Sequence, residues 1–267
     1  MIFMAATFGS ELYTVNGKKV RLMWLEAGIE ELTIRNIGEN SLRTAKDEKG
    51  NQLYGVNGVF FQMVEPDKGN LYGYAINNGA PIGPNERGSW NSGGNGFMVY
   101  LKKELPDKTF LFVSNNAMQT DDNKNQFPVT HKGYTVQMSD VKWAVGGISL
   151  HLSENFSKVA DYYSRLSNDK EWDVDNKADR PRTAIGYKGG KKIILCTIFD
   201  GDDITKDGAG YGCNLWDVRT IMKDKFGCTM GLNLDGGGST QISYKENGKD
   251  CYQGFGRASY CMLCVPM

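Results

Sequence analysis

Apolar and polar residues alternate in short runs along much of the chain, a pattern that predicts β-strands. Weak alternation over residues 19–25 indicates strands near the start. Residues 54–61 predict a buried strand that is interrupted at Asn57 and Gly58, a pair typical of a turn. Residues 96–101 and 109–113 predict two more strands. The first half of the chain is therefore expected to be largely β-structure.

The second half adds a hairpin and two helices. Residues 182–187 and 192–199 flank a Lys-Gly-Gly-Lys turn, which predicts a β-hairpin. Ser153 is the predicted N-cap of a helix whose apolar residues follow the 3.6-residue period as far as Leu166. A second helix is predicted from Asn214, with a stop at Gly227.

These elements predict an α+β fold of mixed, mostly antiparallel sheets with a few flanking helices. The whole chain, residues 1–267, is expected to form a single domain. Residues 66–96 predict a long loop of the kind that forms a lid or a substrate wall, and residues 121–125 predict a solvated loop. Residues 259–265 predict a terminal strand.

The segment 231–240, with the sequence GLNLDGGGST, carries the strongest chemical signal in the chain. Leu232 and Leu234 would lie on one face of a strand, and Asn233 and Asp235 on the other. Three glycines follow directly, and their backbone N–H groups can form a nest for an anion. The segment therefore predicts a carboxylate next to a phosphate-sized site.

Two other interpretations of this segment remain open. Glycine-rich turns after strands are often structural only. Actin-like ATPases and exopolyphosphatases also use an Asp-x-Gly-Gly-Gly-Ser/Thr loop, but there it opens a second nucleotide-binding half. Only 27 residues follow Thr240, so we do not expect such a half here.

Charge and hydropathy exclude several classes of partner. Lys plus Arg and Asp plus Glu both number 31, so no bulk positive charge favours duplex nucleic acid. No apolar run approaches the roughly 18 residues of a membrane span. The apolar start of the chain has no basic leader, so we expect a cytoplasmic or phage-associated protein in preference to a secreted one.

Cysteine and histidine patterns favour neither disulfides nor a metal centre. The six cysteines are expected to be unpaired in a reducing compartment, and Cys261 and Cys264 to lie in the last strand. Only two histidines are present, so a histidine-dependent catalytic triad is poorly supported. We expect no cofactor, although the acidic residues between Asp200 and Asp207 leave calcium open as an alternative.

Five segments together resemble the phosphodiester glycosidase family. In chain order they are Asn-Gly-x-Phe-Phe from Asn57, Gly-Gly-x-x-Leu from Gly146, Arg-Thr-Ala-Ile-Gly from Arg182, a short Leu-Trp helix from Leu215, and Asn-Leu-Asp-Gly-Gly-Gly-Ser from Asn233. The resemblance covers about residues 50–265, and the last segment is the most specific. Residues 153–181 look like a helical insertion within it.

The resemblance implies a site in which Asp235 and Arg182 are catalytic. Asp235 would act as base or nucleophile, and Arg182 would grip phosphate oxygens in a planar fork. The implied substrate-binding residues are Asn57, Gly58, Gly147, Thr183, Asn233, Gly236, Gly237, Gly238, Ser239 and Arg257, and no metal ligand is implied.

The implied activity is hydrolysis of the glycosidic bond of a sugar 1-phosphodiester, releasing the sugar and a phosphate monoester. The substrate would be a small molecule or a glycan carrying a sugar phosphate, in a bacterial or phage protein. The alternative is a carbohydrate- or nucleotide-binding module that keeps the fold without turnover, for instance in a phage structural protein. The sequence does not determine the oligomeric state.

Overall fold

The computed structural model describes residues 5–63, 69, 71–72, 75–82, 96–114, 127–169, 171 and 173–267. Over these residues the strands, in chain order, are β1 (Thr7–Val15), β2 (Lys18–Gly28), β3 (Thr33–Asn40), β4 (Tyr54–Asn57), β5 (Phe60–Phe61), β6 (Leu71–Tyr72), β7 (Ala75–Asn77), β8 (Ala80–Pro81), β9 (Gly96–Leu101), β10 (Leu111–Ser114), β11 (Val129–His131), β12 (Tyr134–Val136), β13 (Val141–Ser149), β14 (Arg182–Gly189), β15 (Lys192–Asp200), β16 (Met230–Asn233), β17 (Gln241–Glu246), β18 (Lys249–Gly254) and β19 (Ser259–Val265). The helices are α1 (Val159–Asn168) and α2 (Leu215–Thr220), and α2 continues into a π-helical turn, Ile221–Lys225. Short 3-10 turns occur at Ile29–Glu31, Met138–Asp140 and Gly237–Ser239.

Two antiparallel sheets dominate the described structure. The larger one has ten strands and runs β1-β2-β15-β14-β16-β13-β7-β8, with β9 and β10 added beside β13. The smaller one has five strands in the order β18-β17-β4-β19-β3. Strands make up 49% of the structure and helices 13%. The expectation of mostly antiparallel sheets is confirmed, but the protein is richer in β-structure than an α+β class implies.

The two sheets pack face to face around the main hydrophobic core, and the helices cover the outer face of the larger sheet. Strand β15 shows this arrangement in its own sequence. Ile193 and Leu195 point into the core shared with the small sheet, whereas Ile194 and Cys196 point into a second core that includes Leu166 of α1. Because both faces are covered, residues 193–196 are all apolar.

The predicted second helix is confirmed, and the first begins later than predicted. The Asn214 side chain accepts a hydrogen bond of 3.0 Å from the Asp217 N–H and caps α2 as the sequence indicates. In contrast, α1 begins at Val159 and Ser153 does not cap it. Phe156 packs edge-on against Tyr162 from the preceding turn, so an apolar residue with helical spacing lies outside the helix.

Most of the predicted strands are present. The hairpin of β14 and β15, the break in the strand at Asn57 and the terminal strand β19 all match the sequence pattern, whereas β10 begins at Leu111 instead of residue 109. The predicted loop at 121–125 lies outside the described residues, as does most of the predicted loop at 66–96. Classification of 153–181 as an insertion stays a prediction.

All six cysteines are unpaired, as expected from the sequence. Cys251 is partly exposed and the other five are buried. Burial raises the pKa of the Cys261 thiol to about 12, so this group stays protonated and unreactive at neutral pH. Among the described residues, no helix is long and apolar enough to cross a membrane.

The Asp-Gly-Gly-Gly-Ser segment is the crossover from the large sheet to the small one. Strand β16 ends at Asn233, and strand β17 begins at Gln241 beside β4. Gly147 of β13 packs tightly against the end of β16, because a Cβ added to it would collide with the Asn233 carbonyl oxygen. This close approach sets the position from which the crossover leaves the sheet.

Glu171 is a buried carboxyl group that joins two strands. Its Oε2 accepts a hydrogen bond of 3.1 Å from the Gly96 N–H, and its Oε1 accepts one of 3.3 Å from the Ser149 N–H. The pKa of Glu171 is nevertheless raised to about 8, mainly by burial and also by nearby Asp169, while the two N–H donors and Arg165 act against this shift.

We expect Gly147→Ala to lower the free energy of unfolding by roughly 1–3 kcal/mol, because the added methyl group has no space beside Asn233. Gly208→Ala is the control, since its methyl group would meet only two ring carbons of Tyr211, at 3.7 and 3.8 Å. Urea unfolding of both variants measures the effect. Equal stability of the two variants would contradict the close packing of β13 on β16.

Titration of Glu171 should make the protein less stable as the pH rises. Between its ordinary pKa and about 8, the carboxyl group is protonated in the folded state and ionised in the unfolded state, so increasing pH favours unfolding. The contribution is at most about 1.4 kcal/mol per pH unit. Urea unfolding from pH 5 to 8 should show a shallower decline for Glu171→Gln than for the wild type.

The exposed Glu48→Gln substitution is the control for this measurement and should leave the pH dependence as in the wild type. An identical slope for the wild type and Glu171→Gln would mean that Glu171 is already ionised in the folded protein.

Candidate active site

A cavity of about 380 Å³ opens beside the crossover between the two sheets. Residues from the crossover, from the start of β14, from segment 173–181 and from the loop after β18 line it together. The lining residues are Phe60, Val174, Asp175, Arg180, Arg182, Asp207, Gly208, Asp235, Gly236, Gly237, Gly238 and Arg257.

Asp235 provides a carboxylate that is partly shielded from solvent. Burial raises the pKa of Asp235 to about 6, while Ser239, the Gly236 N–H and the Arg257 guanidinium stabilise its ionised form. The Gly236 N–H donates a hydrogen bond of 2.9 Å to Asp235 Oδ1. Such a carboxylate can change its protonation state close to neutral pH, as a general base requires.

The three glycines of the crossover lie in three different environments. A Cβ on Gly236 would lie 2.8 Å from the Pro181 carbonyl oxygen, and Gly237 adopts a φ of +57°. At Gly238 an added Cβ would lie 2.6 Å from Arg257 Nη2. The backbone therefore requires glycine at positions 236 and 237, whereas at Gly238 the absence of a side chain gives space to the flexible end of Arg257.

The glycine N–H groups are less available to a ligand than the sequence predicted. The Gly236 N–H binds the Asp235 carboxylate, and the Gly237 N–H donates a hydrogen bond of 2.8 Å to the Pro181 carbonyl oxygen. Among these three, Gly238 alone has an N–H without an acceptor in the described structure. An anion next to the crossover would therefore meet one glycine donor instead of three.

Arg257 lies against Gly238 and is exposed. No ion pair or hydrogen bond of its guanidinium occurs within the described ranges, although its carbonyl oxygen accepts a hydrogen bond of 2.7 Å from Gln241 Nε2. Its charge acts on Asp235 by lowering the pKa of that carboxyl group. The Arg257 guanidinium and the Gly238 N–H are therefore candidates for binding an anion beside the carboxylate.

Asn57 is completely buried and lies behind the cavity, not on its surface. Its Nδ2 donates a hydrogen bond of 2.8 Å to the Asp235 carbonyl oxygen. Its Oδ1 accepts hydrogen bonds from Thr183 Oγ1 at 2.7 Å and from the Gln241 N–H at 3.1 Å. The sequence predicted substrate contacts for Asn57 and Thr183, but these bonds hold the backbone of the crossover.

Four other predicted binding residues also lie outside the cavity lining: Gly58, Gly147, Asn233 and Ser239. The Gly58 carbonyl oxygen accepts a hydrogen bond of 3.2 Å from the Asp235 N–H. Asn233 and Ser239 are buried, and neither Asn233 Oδ1 nor Ser239 Oγ has a hydrogen-bond partner of normal geometry in the described part of the chain. These four residues therefore lie behind Asp235, away from the surface of the cavity.

Arg182 lines the cavity but is almost completely buried, with 3% of its surface exposed. Its Nε donates to the Cys213 carbonyl oxygen at 3.0 Å. Its Nη2 donates to the carbonyl oxygens of Asp175 at 2.6 Å and Ala178 at 2.8 Å. Three of its five N–H groups are therefore bound to the backbone of the protein itself.

Sequence reasoning missed the contribution of segment 173–181. Val174, Asp175 and Arg180 line the cavity, and the two charged residues form an ion pair of 2.8 Å. Asp207 and Gly208 also line the cavity and were not predicted, whereas Phe60 belongs to the Asn-Gly-x-Phe-Phe segment of the resemblance. The charges in 168–181 provide a signal, but the pattern of Asp and Lys is also that of a solvated connector.

The acidic residues after β15 form a hydrogen-bonded turn. Asp200 Oδ1 accepts the N–H groups of Asp202 and Asp203, each at 3.0 Å, and Oδ2 accepts the Gly212 N–H at 3.3 Å. In the part of the chain that the structure covers, no three His, Cys, Asp or Glu side chains converge on a metal position. The calcium alternative rests on the sequence alone.

Comparisons with known proteins show the fold and the family of the chain. No curated protein matches the sequence. The fold is similar to that of the zebrafish N-acetylglucosamine-1-phosphodiester α-N-acetylglucosaminidase catalytic domain, with 18% identity, a TM-score of 0.60, and coverage of 98% of this chain and 83% of that one. A hypothetical protein from Synechocystis has 12% identity and a TM-score of 0.56, with coverage of 98% of this chain and 62% of that one.

At these identities the two structures show the fold alone, whereas the sequence itself carries the family signal. Residues 50–259 match the phosphodiester glycosidase family, a range that contains every residue of the cavity lining. The chain therefore belongs to the phosphodiester glycosidase family.

Proposed function

We propose that this protein hydrolyses the glycosidic bond of a sugar 1-phosphodiester. The observation that carries the proposal is the position of Asp235, a carboxylate with a raised pKa, in a cavity beside Arg257, whose guanidinium has no ion pair or hydrogen bond among the described residues. In this proposal the carboxylate acts at the anomeric carbon of the sugar, and the cation binds the phosphate group on the other side of the scissile bond. The family of the chain supports the same class of reaction.

In the proposed reaction a water molecule attacks the anomeric carbon. The bond between that carbon and the bridging oxygen breaks, and the phosphate monoester leaves with the electron pair. Asp235, when ionised, accepts the proton from water or stabilises the positive charge that develops on the sugar. Solvent then takes up the proton.

The leaving group explains why one carboxylate suffices in this proposal. Many glycosidases need a second carboxylic acid to protonate the departing oxygen. A phosphate monoester has a second pKa of about 6 and leaves without that help. In this proposal Arg257 and the Gly238 N–H stabilise the charge that forms on its oxygens.

Replacement of Asp235 should separate turnover from binding. Asp235→Asn keeps the shape of the side chain but cannot accept the proton, so we expect hydrolysis to slow by at least about a hundredfold. Affinity for the substrate should change little. The experiment measures released sugar for a panel of sugar 1-phosphodiesters, together with binding of the best one by calorimetry.

Asp207→Asn is the matched control, because Asp207 is another carboxylate on the same cavity and has no assigned role in the reaction. Full activity of Asp235→Asn, or an equal loss in both variants, would contradict the role of Asp235. Binding without turnover by the wild type would favour the alternative, a binding module that has kept the fold.

The pH dependence of the reaction should report on Asp235 and Arg257 together. Since Asp235 must be ionised, kcat/KM should rise with pH through about 6. Arg257 lowers the pKa of Asp235, so Arg257→Gln should move this acidic limb to higher pH. Arg35→Gln is the control, because Arg35 is an exposed arginine of β3 outside the cavity lining and should leave the limb in place. A limb that stays fixed or moves to lower pH in Arg257→Gln would contradict the assignment.

A further inference from the structure

Segment 173–181 forms one wall of the cavity without any regular secondary structure. Within it, Asp175 adopts a φ of +53°. This is a left-handed backbone conformation that residues other than glycine adopt at an energetic cost. Such a conformation persists where the surrounding structure holds it in place. Two arginines provide that hold: Arg180 binds the Asp175 carboxylate, and Arg182 binds the Asp175 carbonyl oxygen.

The guanidinium of Arg182 joins this wall to a second segment. Its Nη2 binds the carbonyl oxygens of Asp175 and Ala178, and its Nε binds that of Cys213, at the residue before the cap of α2. The Arg180 and Cys213 backbones also exchange hydrogen bonds of 3.1 and 3.0 Å. Arg182 is therefore placed between the cavity wall and the helix that supports it.

These bonds limit what Arg182 can offer to a phosphate group. A guanidinium binds two anionic oxygens either through Nε and Nη2 or through Nη1 and Nη2. Both arrangements need Nη2, and each of its hydrogens already has a backbone acceptor. A bidentate grip on phosphate would require Arg182 to release the wall.

We propose that Arg182 is a positioning residue, which holds the 173–181 wall so that Val174 and Arg180 face the substrate. The phosphate grip then belongs to Arg257 with the Gly238 N–H, neither of which is part of the wall. The assignment of the phosphate grip to Arg257 rests on the proposed function, whereas the assignment of Arg182 to the 173–181 wall does not. It replaces the phosphate-binding role that the sequence pattern suggests for Arg182.

The test compares Arg182→Lys with Arg257→Gln in the full chain. Lysine keeps the charge but cannot reach three carbonyl oxygens in one plane. We expect amide hydrogen exchange of residues 173–180 to accelerate in Arg182→Lys and to stay unchanged in Arg257→Gln. Affinity for inorganic phosphate should fall by about tenfold in Arg257→Gln, the scale of one lost charged hydrogen bond, and by less than about twofold in Arg182→Lys.

With a sugar 1-phosphodiester that the wild type hydrolyses, Arg182→Lys should raise KM more than it lowers kcat. The assignment is overturned if Arg182→Lys weakens phosphate binding as much as Arg257→Gln does and leaves exchange in 173–180 unchanged. Asp175→Ala provides a second route if Arg182→Lys does not fold. Alanine removes the carboxylate that Arg180 binds and is disfavoured at a φ of +53°, so it should loosen the wall and accelerate exchange with Arg182 intact. Phosphate affinity should be spared; a loss as large as that in Arg257→Gln would contradict the separation of the wall from the phosphate grip.

Exchange and phosphate binding do not depend on turnover. Absence of hydrolysis in the wild type would therefore remove the proposed function and leave the assignment of Arg182 to be decided by those two measurements.

Discussion

The buried side chain of Asn57 makes the hydrogen bonds on which the site depends. It lies at the end of β4 in the small sheet and binds Thr183 of β14 in the large one. It also binds the Asp235 carbonyl oxygen and the Gln241 N–H, which lie on either side of the glycine turn. A single amide thus fixes the two sheets and the crossover relative to one another, and with them the direction in which the Asp235 carboxylate points.

Most polar groups around the cavity hold the backbone, and few remain for a ligand. Asn57, Thr183 and Arg182 bind main-chain groups or one another, and two of the three glycine N–H groups have internal acceptors. This arrangement holds the Asp235 backbone in place, whereas the exposed Arg257 guanidinium is not held by hydrogen bonds among the described residues. In the proposed reaction the carboxylate would therefore be preorganised, and Arg257 would become ordered on the substrate.

Local patterns predicted the strands and the glycine crossover well, because they depend on neighbours in the sequence. The cap of α2 by Asn214 and the hairpin around β14 and β15 are of this kind. Alternation also placed Asn233 and Asp235 on the face opposite Leu232. It could not show that Asn233 would be buried, since that depends on what covers this face of the sheet.

The hydrogen-bond partners of Arg182 show most clearly what the sequence alone could not predict. Its bond to Cys213 spans 31 positions in the sequence, and its other two acceptors are main-chain oxygens that carry no side-chain signal. An arginine expected beside a glycine-rich loop suggests a phosphate ligand, and only the folded backbone reveals carbonyl oxygens around it. The same reasoning applies to segment 173–181. In the sequence its charged residues are typical of a solvated loop, and only the fold shows that this segment lines the cavity.

Hydrolysis in water enriched in ¹⁸O tests the central claim most directly, because it identifies the atom that water attacks. The account predicts that the label enters the released sugar at the anomeric carbon and that the phosphate monoester carries none. Label in the phosphate would mean attack at phosphorus. The protein would then be a phosphodiesterase, and Asp235 would not be the base that serves the anomeric carbon.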